Sequence, residues 1–116
     1  TVIGIFEEHY KSKKALPVVN PGTQKRRFTH INDTVKICHY AWKKNLCRHY
    51  SITNRKSYSI LSVAKMFGDK IKYLPKRAGE RYNSAITNTN LSNKIYKYFG
   101  KVDLKKYVND FILNNY

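Results

Sequence analysis

Gly22-Thr23-Gln24-Lys25-Arg26-Arg27-Phe28-Thr29-His30 is the stretch on which the reading of this chain turns. It sets arginines beside a glycine and a hydrogen-bonding glutamine, just after a short apolar run, Pro17-Val18-Val19. A guanidinium offers a fixed fork of N–H donors that matches phosphate oxygens two at a time, and a neighbouring glycine lets backbone approach a ligand closely. Arg77-Ala78-Gly79-Glu80-Arg81 repeats that composition far downstream, again after an apolar run. The two stretches together describe anion-binding chemistry supplied twice, and a pyrophosphate needs two such clamps.

Working outward, Ile3, Phe6 and Tyr10 recur at helical spacing, and the cations from Lys11 to Lys14 suit a helix C-terminus, so a first helix is expected to end near Ala15. Pro17-Val18-Val19 reads as a strand closed by the turn Asn20-Pro21-Gly22. Phe28, His30 and Ile31 read as a second extended piece. Asn32 or Asp33 then caps a helix carrying Val35, Cys38, His39 and Trp42 on one face, stopped by Asn45. Tyr50-Ser51-Ile52 reads as a strand. Ser59 caps a helix in which Ile60, Val63, Ala64 and Phe67 repeat at i, i+3, i+4, i+7 before Gly68 ends it. Ile71-Lys72-Tyr73-Leu74 is the next expected strand and delivers the loop from Lys76 to Tyr82. A helix from Asn88 to Tyr98, with Leu91, Ile95 and Tyr98 on one stripe, and a last helix capped by Asp103, with Leu104, Tyr107, Val108, Phe111 and Ile112 inward, complete the series. About five helices interspersed with short strands, without repeats or low-complexity segments, give an α/β or α+β class and a single domain over residues 1–116.

The segments resemble, in series, the substrate-binding half of the nucleotide-sugar epimerases and dehydratases, the extended short-chain dehydrogenase family. Where that family usually reads Gly-Asp-Gly-x-Gln-x-Arg-Asp-Phe-Thr-His/Tyr-Val-x-Asp-Val, this chain has Asn20-Pro21-Gly22-Thr23-Gln24-Lys25-Arg26-Arg27-Phe28-Thr29-His30-Ile31-Asn32-Asp33-Thr34. Tyr50 to Asn54, Tyr58 to Ala64 and then Arg77-Ala78-Gly79-Glu80 follow the family's order and spacing, so the resemblance runs from about Val2 to Phe111. It implies that Arg26 and Arg77 contact a substrate diphosphate, that Glu80 accepts from sugar or ribose hydroxyls or orients a guanidinium, and that the segment holding Leu16 and Val18 runs beside the base. The implied ligand is a UDP- or dTDP-hexose. Arg27 stands where the family has aspartate, so any hydrogen bonding by that carboxylate is lost or replaced. Asn20-Pro21 in place of Gly-Asp suggests a different turn. The glycine-rich strand-turn-helix that would hold the NAD pyrophosphate is not in this sequence. With a first residue other than Met, already inside a helical pattern, the expectation is the C-terminal portion of a longer enzyme. Its NAD is held by the other half, its full-length form is a homodimer, and this piece alone is inactive. Epimerase and 4,6-dehydratase share the architecture, and fold alone does not choose between them.

Composition narrows the alternatives. A chain of 116 residues that is 41% hydrophobic and 14% aromatic has the apolar content for one packed core and is unlike a disordered chain. Its apolar runs are far shorter than the roughly 20 residues needed to span a bilayer. Two cysteines, Cys38 and Cys47, make no disulfide framework, which sets a reducing cytoplasm as the expectation. A net charge of +16 would fit a basic nucleic-acid module with tyrosines for stacking. The lysines, however, are spread along the chain, and the excess of lysine over arginine, with abundant Asn, Ile and Tyr, matches an AT-rich coding sequence. Tyr10 with Lys14 and Tyr40 with Lys44 each match the Tyr-x-x-x-Lys proton-transfer pair of the dehydrogenase superfamily. With 10 tyrosines and many lysines such matches arise by chance, and neither pair is assigned a catalytic role. Cys38, His39, Cys47 and His49 lack the paired short spacings of a structural zinc site, so no metal is expected.

Overall fold

A computed structural model of the chain describes residues 1–45, 49–82 and 95–116. Helix α1 (Val2–Lys11) starts at Thr1, whose hydroxyl accepts from the Gly4 N–H at 3.2 Å. Strands β1 (Leu16–Val19) and β2 (Lys25–Arg26) follow, then helix α2 (Ile31–Lys44) and strands β3 (His49–Thr53) and β4 (Tyr58–Ser59). Helix α3 (Ile60–Phe67), strands β5 (Ile71–Leu74) and β6 (Ile95–Phe99), and helix α4 (Leu104–Asn114) complete a mixed α/β fold.

The strands pair over long sequence distances in three two-stranded ladders. β1 runs parallel to β5, with Leu16 opposite Ile71 and Val19 opposite Leu74. β2 and β4 are antiparallel, with Arg26 opposite Tyr58, and β3 runs parallel to β6, with His49 opposite Ile95 and Thr53 opposite Phe99. Helix α3 ties the first two ladders together. Ser59 caps it by accepting from the Ser62 N–H at 3.1 Å, and its Leu61 N–H reaches the Gly22 carbonyl at 3.0 Å. Gly22 is required at that contact: its φ is +80°, and a Cβ there would stand 2.9 Å from Val18 Cγ1 and 3.0 Å from Leu61 Cβ.

The core is built from the apolar stripes that the sequence sets at helical spacing. Phe6 of α1, Val18 of β1, Val63 and Ala64 of α3 and Val108 of α4 are completely enclosed, and Leu16, Ile60, Phe67 and Leu104 are nearly so. Rings of Phe6, Tyr10, Phe67 and Phe111 meet edge-on or tilted at centroid distances of 5.8–6.2 Å. Such contacts add to the hydrophobic gain because ring edges and faces carry opposite partial charge.

Three local expectations are corrected. The stretch from Ile95 to Phe99 is strand β6, not the end of a helix, while Asn88 and Leu91 lie outside the described residues. Ile-Tyr-Lys-Tyr-Phe is dense in β-branched and aromatic residues, and its alternation fits the ladder with β3 better than a helical stripe. Helix α2 is capped by His30 and not by Asn32 or Asp33: Nδ1 of His30 accepts from the Asn32 N–H at 3.1 Å. Ile31 therefore opens the helix and does not close a second extended piece. The His30 ring also packs edge-on against Tyr107 at 5.5 Å. Asp33, freed from capping, is fully buried and accepts from the Val102 N–H at 3.0 Å, pinning α2 to the segment before α4.

Tyr107 of α4 donates its phenolic hydrogen to Glu7 Oε1 of α1 at 2.5 Å. That hydrogen bond, with burial and the carboxylate's charge adding to it, raises the Tyr107 pKa above its ordinary value of about 10. The folded chain therefore holds this proton more tightly than the unfolded chain. The contribution is complete below the unfolded-state pKa and is lost as pH rises through the folded-state value. Tyr107→Phe is expected to lower stability by about 0.5–1.5 kcal/mol at neutral pH. Urea melts from pH 8 to 11 should show that deficit shrinking at the alkaline end; a gap that stays constant would deny the hydrogen bond its role.

Helix α2 stops at Asn45, which takes the left-handed conformation at φ 48°. One of its faces is buried through Ile37, yet Ile31, Val35 and Trp42 are 65%, 57% and 80% exposed, with exposed Cys38 on the same stripe. The whole is thin, 47 × 35 × 17 Å, with a radius of gyration of 16.4 Å. A compact domain of this length has about 13 Å. Among the described residues no helix is long and apolar enough to cross a membrane.

Candidate anion-binding cleft

The fold brings the two arginine-bearing stretches together. The Lys25 N–H donates to the Tyr82 carbonyl at 2.6 Å, stitching β2 to the loop that follows β5. Arg26 reinforces the seam: its Nη1 donates to the carbonyls of Lys25 at 2.8 Å and Arg81 at 2.6 Å, and its Nη2 meets Glu80 Oε1 at 3.1 Å. Arg77 and Glu80 come from the same loop, turned by Gly79 at φ +77°. That positive φ sends the chain back on itself, so Glu80 returns to Arg26 while Arg77 stays exposed.

Arg26, Arg77 and Glu80 all line one cleft of about 360 Å³, whose apolar wall includes Pro17, Val19, Ile60 and Leu74. The first turn of α1, through Thr1 and Val2, lies on its border, and a helix N-terminus carries partial positive charge that suits an anion. Two guanidinium groups, one carboxylate and an apolar shelf are the elements needed to hold a charged linkage with a ring and hydroxyls attached.

Not every residue expected at this site faces the cleft. Leu16 and Val18 point into the core, 3% and 0% exposed, because inward residues of β1 alternate with outward ones. The side chains that β1 offers the cleft are those of Pro17 and Val19, one position out of step with the expected pair. Glu80 engages Arg26, the guanidinium from the distant stretch, and not its neighbour Arg77. Arg27 replaces the expected carboxylate by a different tie: its Nη1 donates to the carbonyls of Asn54, at 2.6 Å, and Arg55. Asn54 in turn donates to the Phe28 carbonyl, so this arginine fastens the β3–β4 connection. Among the described residues no three His, Cys, Asp or Glu side chains gather as metal ligands, and Cys47 lies outside them.

The hydrogen-bonding glutamine of the stretch that carries Arg26 also belongs to the cleft. Gln24 is 2% exposed, lines the cleft, and donates from Nε2 to the Val19 carbonyl at 3.1 Å, bracing the turn that presents Arg26. Its place in the stretch from Gly22 to His30, as the hydrogen-bonding residue two positions before Arg26, is the sequence signal that points to it.

No family model and no curated protein matches the sequence. Solved structures do match the fold. UDP-glucuronic acid 4-epimerase from Bacillus cereus, in complex with NAD, superimposes with a TM-score of 0.69 at 23% identity, over 100% of this chain and 40% of that one. dTDP-glucose 4,6-dehydratase from Bacillus anthracis str. Ames, also with NAD, gives 0.69 at 18% identity, over 98% of this chain and 40% of that one. GDP-mannoheptose C4 reductase from Campylobacter jejuni, with NADP bound, gives 0.65 at 17% identity, over 99% and 44%. The chain thus shares part of the fold of these structures, and it spans about two fifths of their length.

Proposed function

We propose that this chain is the nucleotide-sugar-binding portion of an NAD-dependent sugar-nucleotide epimerase, with a 4,6-dehydratase as the alternative use of the same architecture. The observation that carries the reading is the meeting of Arg26, Arg77 and Glu80 at one cleft from stretches more than fifty positions apart, with Arg26 and Glu80 3.1 Å apart. Arg26 and Arg77 grip the diphosphate of a UDP- or dTDP-hexose, Glu80 accepts from a hydroxyl beside it, and β1 lies along the base. A nicotinamide cofactor supplies hydride transfer to and from the sugar, and the neighbouring structures hold NAD or NADP. This chain does not fit that cofactor: its five glycines are scattered, the nearest two being Gly68 and Gly79, and none forms a glycine-rich turn. The residues here bind and orient, and catalytic groups belong to protein outside this chain. The exposed apolar stripe of α2 and the thin, open shape support a portion that packs against further protein.

Calorimetric titration of the chain with UDP and with a UDP-hexose, at two salt concentrations, tests the reading. Saturable binding with a shallow salt dependence is expected. Absence of UDP binding, with tight binding of an RNA oligonucleotide that collapses as salt rises, would overturn it in favour of a nucleic-acid module.

A further inference from the structure

Glu80 puts a negative charge into a cleft that otherwise suits an anion. The chain has 23 Lys and Arg against 7 Asp and Glu, yet one of those few carboxylates stands inside the cleft and touches the guanidinium meant for phosphate. The details of the contact explain how both demands are met. Arg26 is held without Glu80, because both hydrogens of its Nη1 are satisfied by the Lys25 and Arg81 carbonyls. The contact with Glu80 is a single one through Nη2 at 3.1 Å, longer than the 2.7–2.9 Å of a strong charge-assisted bond and without the second arm of a fork. With the two side chains 34% and 19% exposed, the pair is of the weak, solvent-screened kind. Nε of Arg26 makes no hydrogen bond among the described residues. The turn before Glu80 is exposed, with nothing within 4 Å of the place a Cβ on Gly79 would occupy.

We propose that Glu80 is a placeholder for the ligand: it occupies Arg26 while the cleft is empty and, when a diphosphate arrives, trades that guanidinium for a ligand hydroxyl. The exchange rests on the preceding reading of the cleft. It lets one carboxylate neutralise a partly buried arginine in the free protein and then select, among anions, those that bring a hydroxyl to repay the displaced contact. Inorganic pyrophosphate displaces Glu80 and offers nothing in return, whereas UDP offers ribose hydroxyls.

The test compares the chain with Glu80→Gln by calorimetry, using inorganic pyrophosphate and UDP as probes. Glu8→Gln, an exposed change on α1, measures the general effect of removing one negative charge. Beyond that effect, Glu80→Gln is expected to tighten pyrophosphate about two- to fivefold, the range of an exposed ion pair, and to tighten UDP less or weaken it. The preference for UDP over pyrophosphate should therefore fall. Pyrophosphate affinity unchanged or reduced in Glu80→Gln, while the parent chain binds both probes, overturns the exchange and leaves the diphosphate reading standing. Failure of both chains to bind either probe overturns both.

Discussion

Replacing Phe6 with alanine is expected to destabilise the chain by about 3–5 kcal/mol, the cost of removing a buried aromatic ring and leaving a cavity. Phe6 has no exposed surface, and its ring meets Phe67 edge-on at 5.8 Å and 73°. Phe67 in turn touches Tyr10 and Phe111, so the ring of Phe6 is the keystone that joins α1 to α3 and, through Phe67, to α4. Native domains have only about 5–15 kcal/mol in hand, and a thin chain of this length belongs toward the low end. The variant should therefore be largely unfolded under conditions where the parent is folded. Far-UV circular dichroism through a urea titration measures this directly. Trp42 fluorescence is the wrong probe, because that side chain is 80% exposed in the folded state. A midpoint within error of the parent's would mean that the α1 stripe does not pack as described. Because Val2 and Ile5 of the same helix, and its cap Thr1, border the cleft, loss of this packing should also abolish ligand binding.

Helices were the legible part of this sequence because their signals are local. Apolar residues at i, i+3, i+4 and i+7, a serine at the start and a glycine or asparagine at the end all fall within one segment, and α3 follows that pattern from Ser59 to Gly68. Pairing partners were not legible, because nothing in Leu16–Val19 names Ile71–Leu74 as its neighbour. The same limit bears on β6: its partner β3 lies far upstream, so only the β-branched and aromatic content of Ile-Tyr-Lys-Tyr-Phe speaks locally for a strand. His30 as a cap was missed because an imidazole is a less usual N-cap acceptor than the Asn and Asp that follow it. At the cleft, residue types announced the chemistry, and the fold decided which of them face it. Alternation along β1 exchanged Leu16 and Val18 for Pro17 and Val19, and the turn at Gly79 gave Glu80 a partner 54 residues away.

Arg77→Ala is expected to weaken UDP binding by about 1.5–3 kcal/mol, the range for hydrogen bonds to charged groups, which is roughly ten- to 150-fold in affinity. Arg77 is exposed and makes no hydrogen bond to protein among the described residues, so its removal should leave the urea midpoint within about 0.5 kcal/mol of the parent's. Arg26→Ala is expected to differ in kind. Its guanidinium ties β2 to the carbonyl of Arg81 and to Glu80, so truncation loses ligand contacts and loosens the loop that carries Arg77. Affinity and stability should fall together. Arg26→Lys keeps the charge but cannot bridge two carbonyls and an anion at fixed angles, and should recover only part of the loss. Calorimetry with UDP beside urea melts of the three variants separates the roles: a residue that only grips the ligand changes one measurement, and a residue that also builds the cleft changes both. If Arg77→Ala binds UDP as the parent does, the diphosphate is not held between these two arginines, and the cleft's charge serves some other anion.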